Sequence, residues 1–401
     1  MAPGSRTPPR RAKGGAPMSI IRKDLGPRPP ARLKSKLSVV RPGKAVADLR
    51  LELRSGGEFS IFSEAPDDLE PSIDRLANQA IEANPFQSAA FIMTALGRND
   101  AHQRLALIED TASEAGSLAA LMGFAVTDRG SHMVAATADG GYHAPLIARH
   151  RPMATIDQLF EALAGSLANL PGIIAFPALL ADGAFMRSAR AVAAARGLAF
   201  RVAGAFRGRA LSGRIEPTGA LSQGERDAWQ DNLGKWETLR KKGRVTYHVA
   251  RNPREISETL EDLSLLCDTP ENANRFSAFV PVARLLSEQD RLRIHTLYLG
   301  ELLIAAAIQP VHLGAAWVWK VLVRPDMEEL AVDEQLMMRL TEFNLGDANI
   351  AVTRVAPGTG PFLAERFWPG EDGYASLLVA LRPGMERALD SVAASYEEKS
   401  A

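Results

Sequence analysis

The sequence predicts a mixed α/β protein made of two successive units with the same order of elements. Three observations point there. At 401 residues the chain is longer than one hydrophobic core usually serves. Its 46% hydrophobic and 23% charged residues are the composition of a globular protein. Long strands, a helix, a strand, a helix and a closing strand then occur twice, about 180 residues apart.

In the earlier half, "EFSIFS" (58–63) reads as a short strand and "DLEPSIDRLANQAIEA" (68–83) as a helix. "NPFQSAAFIMTALGR" is a turn followed by a helix from Ser88. Two strand-like runs follow, "GSLAALMGFAVTD" and "HMVAATA", and then a helix over 156–170. The strand "GIIAFPAL", a helix ending on Gly197 and the strand "LAFRVAGAF" close this half. A basic helix (231–244) and the strand "VTYHVA" lead into the later half. There "RIHTLYL", "ELLIAAAIQPV" and "AAWVWKVLV" are three strands joined by tight turns at Gly300 and Gly314. A helix over 333–345, the strand "NIAVTRVA", a short helix near 361–367 and the strand "YASLLVAL" complete the repeat. An antiparallel meander followed by α/β crossovers gives each half a mixed, mostly antiparallel sheet. The expected divisions are a leader over 1–46, a first unit over 47–215 and a second over 216–401.

The net charge of zero hides an asymmetry. Residues 1–46 hold twelve Lys or Arg against one acid, Asp24, so the rest of the chain is as negative as the leader is positive. Rich in Pro, Gly and base, the leader lacks the apolar groups to bury and is expected to be disordered, with Met18 as an alternative start. A basic tail is compatible with nucleic acid or acidic lipid, but composition alone favours a plain solvated leader, and no nucleic-acid partner is expected. No signal peptide is expected, because no apolar run follows the basic stretch. The single cysteine, Cys267, fits a reducing cytoplasm. The uncharged run Leu302–Trp319 is broken by Gln309-Pro310, His312 and Gly314, which suits a hairpin rather than a membrane span.

Strand-to-helix junctions of this kind offer backbone N–H groups to phosphate. The later junction holds Asp326, Glu328, Glu329, Asp333 and Glu334, with no glycine over 315–345. Clustered carboxylates oppose an anion there. The plain reading has Asp333 capping the helix, Glu334 complementing its dipole and the loop solvated. The earlier junction, "TADGGYHAPLIARHRP" (137–152), is the better anion site. Gly140 and Gly141 permit close backbone approach, while His143, Arg149 and Arg151 supply charge. An ordinary surface loop explains the same residues equally well. Trp317 and Trp319 point to one face of their strand, as pocket walls or as core. His residues occur singly, and no Cys/His cluster has metal-ligand spacing, so no metal is expected.

Several segments in order resemble the cellulose-biosynthesis-associated (CelD-like) acetyltransferases, a tandem GNAT family. They are "NPFQSAAFI", "APLIAR", "FRGRALSG", "LRKKGRVTYHVARNPREISETLEDLSLL", "WKVLV" with "QLMMRLTEF", and "RFWPGEDGYASLLVAL". The resemblance implies two GNAT folds and transfer of an acyl group from acyl-CoA to an amine of a small metabolite or saccharide precursor. It places Lys320 and Gln335 at matching spacing, and Val323 and Arg324 where the family carries a Tyr–Asp pair. Tyr298 is the candidate for protonating the departing thiolate. The family's Ser-Pro-Gly turn is replaced by Ala331-Val332-Asp333. A degenerate binding or scaffold protein is therefore the alternative, and a peptidyltransferase using aminoacyl-tRNA ranks last.

Overall fold

The computed structural model describes residues 47–398, apart from 54–56, 65, 97–102, 111–116, 128–129, 137–140, 166–168, 213–222, 268–269 and 360–367. The leader 1–46 and the expected helix near 361–367 lie outside the described residues.

The first half runs β1 (Leu49–Glu52), β2 (Glu58–Phe62), α1 (Glu70–Gln79), α2 (Ala89–Leu96), β3 (Gln103–Asp110), β4 (Ser117–Val126), β5 (Met133–Ala135) and β6 (Leu146–Ile147). It continues through α3 (Pro152–Ala164), β7 (Ile173–Leu180), α4 (Ala184–Ala195) and β8 (Phe200–Ser212). The second half runs α5 (Gln223–Lys242), β9 (Val245–Ala250), α6 (Pro253–Ser264), α7 (Pro270–Glu288), β10 (Leu292–Leu299), β11 (Leu302–His312), β12 (Ala315–Val318) and β13 (Lys320–Val323). After it come α8 (Val332–Gly346), β14 (Val352–Val355), β15 (Gly370–Ala380) and α9 (Glu386–Glu398).

Local chemistry accounts for the element ends. Helix α3 begins on Pro152, four residues before the expected start, because proline at the first helical position lacks only an N–H that has no partner there anyway. Helix α6 has a full capping box, with Asn252 and Glu255 each bonding the other's backbone N–H. Gly197, Gly300 and Gly314 turn the chain with positive φ. The run "AAWVWKVLV" is not one strand: it breaks at Trp319 into β12 and β13, and the Trp319 N–H still reaches Ile308 O at 2.9 Å. Strands β1, β3 and β6 and helices α7 and α9 are not among the expected elements.

The strands form one sheet in the order β1-β2-β3-β4-β5-β7-β15-β8-β14-β12-β11-β10-β9, with β6 beside β4 and β13 beside β11. Among the described residues only β5·β7 and β12·β14 pair in parallel. From β2 to β9 the order reads the same from either edge if each strand is replaced by its counterpart in the other half. At the centre the closing strands are exchanged. Strand β15 of the later half lies between β7 and β8, and β8 of the earlier half lies between β15 and β14. The two repeats thus complete a single mixed sheet.

Apolar residues on both faces anchor the helices. Ile73, Leu76 and Ala77 of α1 pack on Leu105, Leu107 and Leu121. On the opposite face of β4, Ala120, Met122 and Phe124 meet Ile156, Leu159 and Phe160 of α3. In the second half, Leu336, Met337 and Leu340 of α8 pack on Leu297, Ile304, Ala305 and Ala307. The core joins the halves at an aromatic cluster. Trp319 meets Phe86, Phe91 and Phe279 with ring centroids 6.0, 5.3 and 5.5 Å away. Trp317 meets Phe86 and stacks on Tyr142 at 5.0 Å and 18°.

Candidate functional site

Each half has a fork where a parallel strand pair parts and a crossover helix begins. In the second half β12 follows β14 from Ala315 to Val318, after which β13 pairs with β11 alone. Past the fork, the Ala356 N–H and the Thr359 hydroxyl bond the Val318 carbonyl, and Thr359 also bonds the Trp319 carbonyl.

At the later junction, Val323 ends β13 and Arg324 follows it. The Arg324 N–H bonds Ile304 O, and its Nε donates to Asp326 Oδ1 at 2.8 Å. The residue preceding α8 is Ala331, left-handed at φ 47°, and not Asp333 as the helical pattern suggests. Asp333 lies inside the first turn, where its Oδ1 accepts the Glu334 N–H at 2.9 Å. Its carboxylate thus occupies a donor that a phosphate would use. Burial raises its pKa, and the neighbouring Glu334 adds to the effect. Glu334 is buried and faces Lys235 at 3.5 Å, so it is not part of a solvated loop.

The earlier junction differs. Helix α3 starts without a side-chain cap and without an acid in its first turn. Arg151, exposed, directly precedes it. Arg149 is turned away toward α1, donating to Gln79 O at 3.3 Å and to Asn78 O and Ala80 O at 3.4 Å, where it satisfies the last carbonyls of that helix. His143 bonds the Ala135 backbone, and burial lowers its pKa to about 4. It is neutral at pH 7 and supplies no positive charge to an anion. Gly141 is buried, and Gly140 lies outside the described residues.

The expected acid/base residues have separate partners. Tyr298 donates to Asp262 Oδ2 at 2.8 Å, and burial, reinforced by that carboxylate, raises its pKa. Gln335 is buried and donates to Asn232 O at 2.7 Å, tying α8 to α5. The Lys320 ammonium lies 5.6 Å from the Trp319 ring centroid. Along β11, Lys320 is level with Ile308, whereas Tyr298 is level with Leu303.

Sequence reasoning missed a polar cluster at the exchanged strands. The Tyr142 hydroxyl donates to Glu82 Oε1 at 2.7 Å and accepts the Leu180 N–H at 3.2 Å. Glu82 Oε2 accepts the Phe185 N–H at 3.1 Å. Nearby, Arg354 pairs with Asp372 at 2.6 Å and lies 5.5 Å from the Trp317 ring. The Tyr374 hydroxyl and the Trp317 Nε1–H are buried without a hydrogen-bond partner. Burial chiefly raises the pKa of both Tyr142 and Tyr374. No local pattern marks these residues, because six separate segments supply them. No group of three or more His, Cys, Asp or Glu able to hold a metal is present among the described residues. Nor is any described helix long and apolar enough to cross a membrane.

Residues 233–351 match the acetyltransferase (GNAT) domain family. The match begins within α5, runs through α8 and stops just before β14, so it includes the β12 and β13 side of the second fork. Among solved structures, a conserved protein of unknown function from Bacteroides thetaiotaomicron VPI-5482 is similar at 11% identity and TM-score 0.52, over 79% of this chain and 97% of that one. FemX is similar at 9% identity and TM-score 0.52, over 80% of this chain and 98% of that one. A tandem GNAT protein from the clavulanic acid biosynthesis pathway aligns at 14% identity and TM-score 0.44, over 82% and 99%. For the Bacteroides protein and FemX the likeness concerns the fold alone. No curated protein matches the sequence.

Proposed function

We propose that the protein is an N-acyltransferase that moves an acyl group from acyl-CoA to an amine of a small metabolite or saccharide precursor, as its resemblance to the CelD-like acetyltransferases implies. The two GNAT-like units, 47–215 and 216–401, share one sheet in this reading. The GNAT domain match supports the reaction class. The observation that carries the placement is the contrast between the crossover helices. Helix α8 has a carboxylate of its own on an N-terminal N–H, whereas α3 begins uncapped beside Arg151. The coenzyme anion therefore fits the first-half junction and does not fit the second.

Acyl-CoA supplies an activated thioester when bound. The protein must orient an amine toward it, remove a proton from the amine and return one to the departing sulfur. Tyr298 and Gln335 bond Asp262 and Asn232, and Tyr142 bonds Glu82, so the Tyr374 hydroxyl, buried without a hydrogen-bond partner, is the candidate the geometry favours for those proton transfers, while Lys320 is a candidate on the resemblance alone. A second reading, a binding or scaffold protein without turnover, is favoured by the same Asp333 carboxylate and by the rings packed around Trp319.

Calorimetric titration with coenzyme A separates the readings. Saturable binding lost in Arg151→Ala supports the first-half junction, since a charge-assisted contact contributes about 1.5–3 kcal/mol. Binding insensitive to Arg151→Ala but changed by Asp333→Gly would move the coenzyme to the second junction. Absence of saturation at millimolar ligand would leave the scaffold reading.

A further inference from the structure

Away from both forks, a groove of about 440 Å³ lies between α5, β9 and α8, lined by Trp236, Tyr247, Arg339, Glu342 and Phe343. Its volume falls in the range of small-molecule sites. Three half-buried rings from three different elements line it. Half-buried rings gathered on one concave surface are a common lining of small-molecule sites.

The polar groups in the groove have a definite sense. The Arg339 guanidinium lies 4.6 Å from the Trp236 ring centroid and pairs with Glu342 at 2.8 Å. Of its five N–H donors, that ion pair takes only part. The Tyr247 hydroxyl is 2.7 Å from His295 Nδ1, and His295 Nε2 is 2.9 Å from Gln309 Oε1. With Gln309 Oε1 turned to the ring, His295 carries its proton on Nε2 and Nδ1 accepts the Tyr247 proton, an arrangement that leaves Gln309 Nε2 buried without a partner. The phenol proton therefore points into the core, and the phenol oxygen can only accept from the groove. Burial raises the Tyr247 pKa, Glu342 adds to it and Arg339 opposes it, which places both charges within electrostatic reach of the hydroxyl. One end of the groove thus offers two acceptors, Tyr247 Oη and Glu342, beside a donor, Arg339.

We infer that this groove binds an amino-substituted nitrogen heteroaromatic ring of the adenine type. The ring would lie against Phe343, Tyr247 and Trp236. Its exocyclic NH₂ would donate to Tyr247 Oη, since Glu342 is paired with Arg339, and its adjacent ring nitrogen would accept from a remaining Arg339 N–H. A ring with the opposite sense, carrying a carbonyl beside an N–H, presents an acceptor to acceptors and a donor to a donor. The inference is independent of the acyl-transfer reading.

Adenosine and inosine are the probes, because they differ at that edge. Binding is read from quenching of tryptophan fluorescence, to which the half-buried Trp236 contributes, and in parallel from saturation-transfer NMR of the ligand. Adenosine is expected to saturate and to bind at least about tenfold more tightly than inosine, the cost of unmatched polar groups. Tyr247→Phe, which keeps the ring, should erase most of that preference, and Trp236→Leu should weaken both ligands. Equal binding of the two nucleosides would overturn the inference, as would adenosine binding unchanged by Trp236→Leu, or no saturation at millimolar concentration. Coenzyme A also carries an adenine, so Arg151→Ala is the control. Adenosine affinity must survive it, and its loss would put the nucleoside at the first-half junction.

Discussion

His295 lies fully buried between β9 and β11, with Tyr247 on one ring nitrogen and Gln309 on the other. Phe343 packs edge-on against it at 5.3 Å. Burial lowers its pKa from an ordinary 6.5 to about 4, although the Gln309 bond pulls the other way. An unfolded chain binds a proton at this histidine below pH 6.5, whereas the folded protein resists until about pH 4. Stability therefore rises with pH across that window, and is lost as pH falls through it. At 1.36 kcal/mol per unit, the difference amounts to about 3 kcal/mol for this one group. Urea unfolding of wild type and His295→Asn, from pH 7 to pH 4, isolates it. His143 also has a pKa near 4, but it is present in both proteins and cancels. The variant should be less stable at pH 7, since Tyr247 loses its acceptor, yet it should lose about 3 kcal/mol less on acidification. Parallel stability curves for the two proteins would refute the assignment of a neutral, buried histidine.

Two further substitutions probe the seam between the halves. Glu82→Gln puts an amide NH₂ where Glu82 now accepts from the Tyr142 hydroxyl or the Phe185 N–H, so one buried group loses its partner; a loss of about 1–3 kcal/mol is expected in chemical denaturation, and no change would mean that the cluster is bridged otherwise. Trp319→Ala empties the space between Phe86, Phe91 and Phe279 and should destabilise by about 3–5 kcal/mol, whereas a loss under about 1 kcal/mol would show that α2 and α7 close over the gap.

Much of the fold is legible in the sequence where periodicity is strong. The runs that became β10, β11 and α8 carry it clearly, and the boundaries expected for α8 differ by one residue at each end. Helix α7 is harder to read because it contains Pro281, which local rules treat as a break. The exchange of β8 and β15 left no local trace, since a strand's own residues do not say which distant strand lies beside it. The acidic character of the later junction was plain, but the role of each acid was not. Asp333 has the residue type of a cap, while the cap position fell to Ala331 through a left-handed backbone that alanine seldom adopts. Arg149 similarly has the charge of an anion ligand. Its position beside the end of α1 decides that it serves carbonyls. Tyr142, Glu82, Tyr374 and Arg354 meet only through the tertiary fold.

The exchange of closing strands also has a meaning in time. Strand β7 and strand β8 are made before α5 to β14, but the strand that separates them, β15, is made after all of these. At ordinary translation speeds of about 5–20 residues per second, roughly 10–30 s pass between completion of β8 and completion of β15. During that interval Ile173–Leu180 has no antiparallel partner, and an apolar strand edge faces whatever else the cell contains. The place between β7 and β8 thus waits for β15 to be made, which makes this interval the stage at which a chaperone, or a second nascent copy offering its own β15, has the greatest opportunity to intervene.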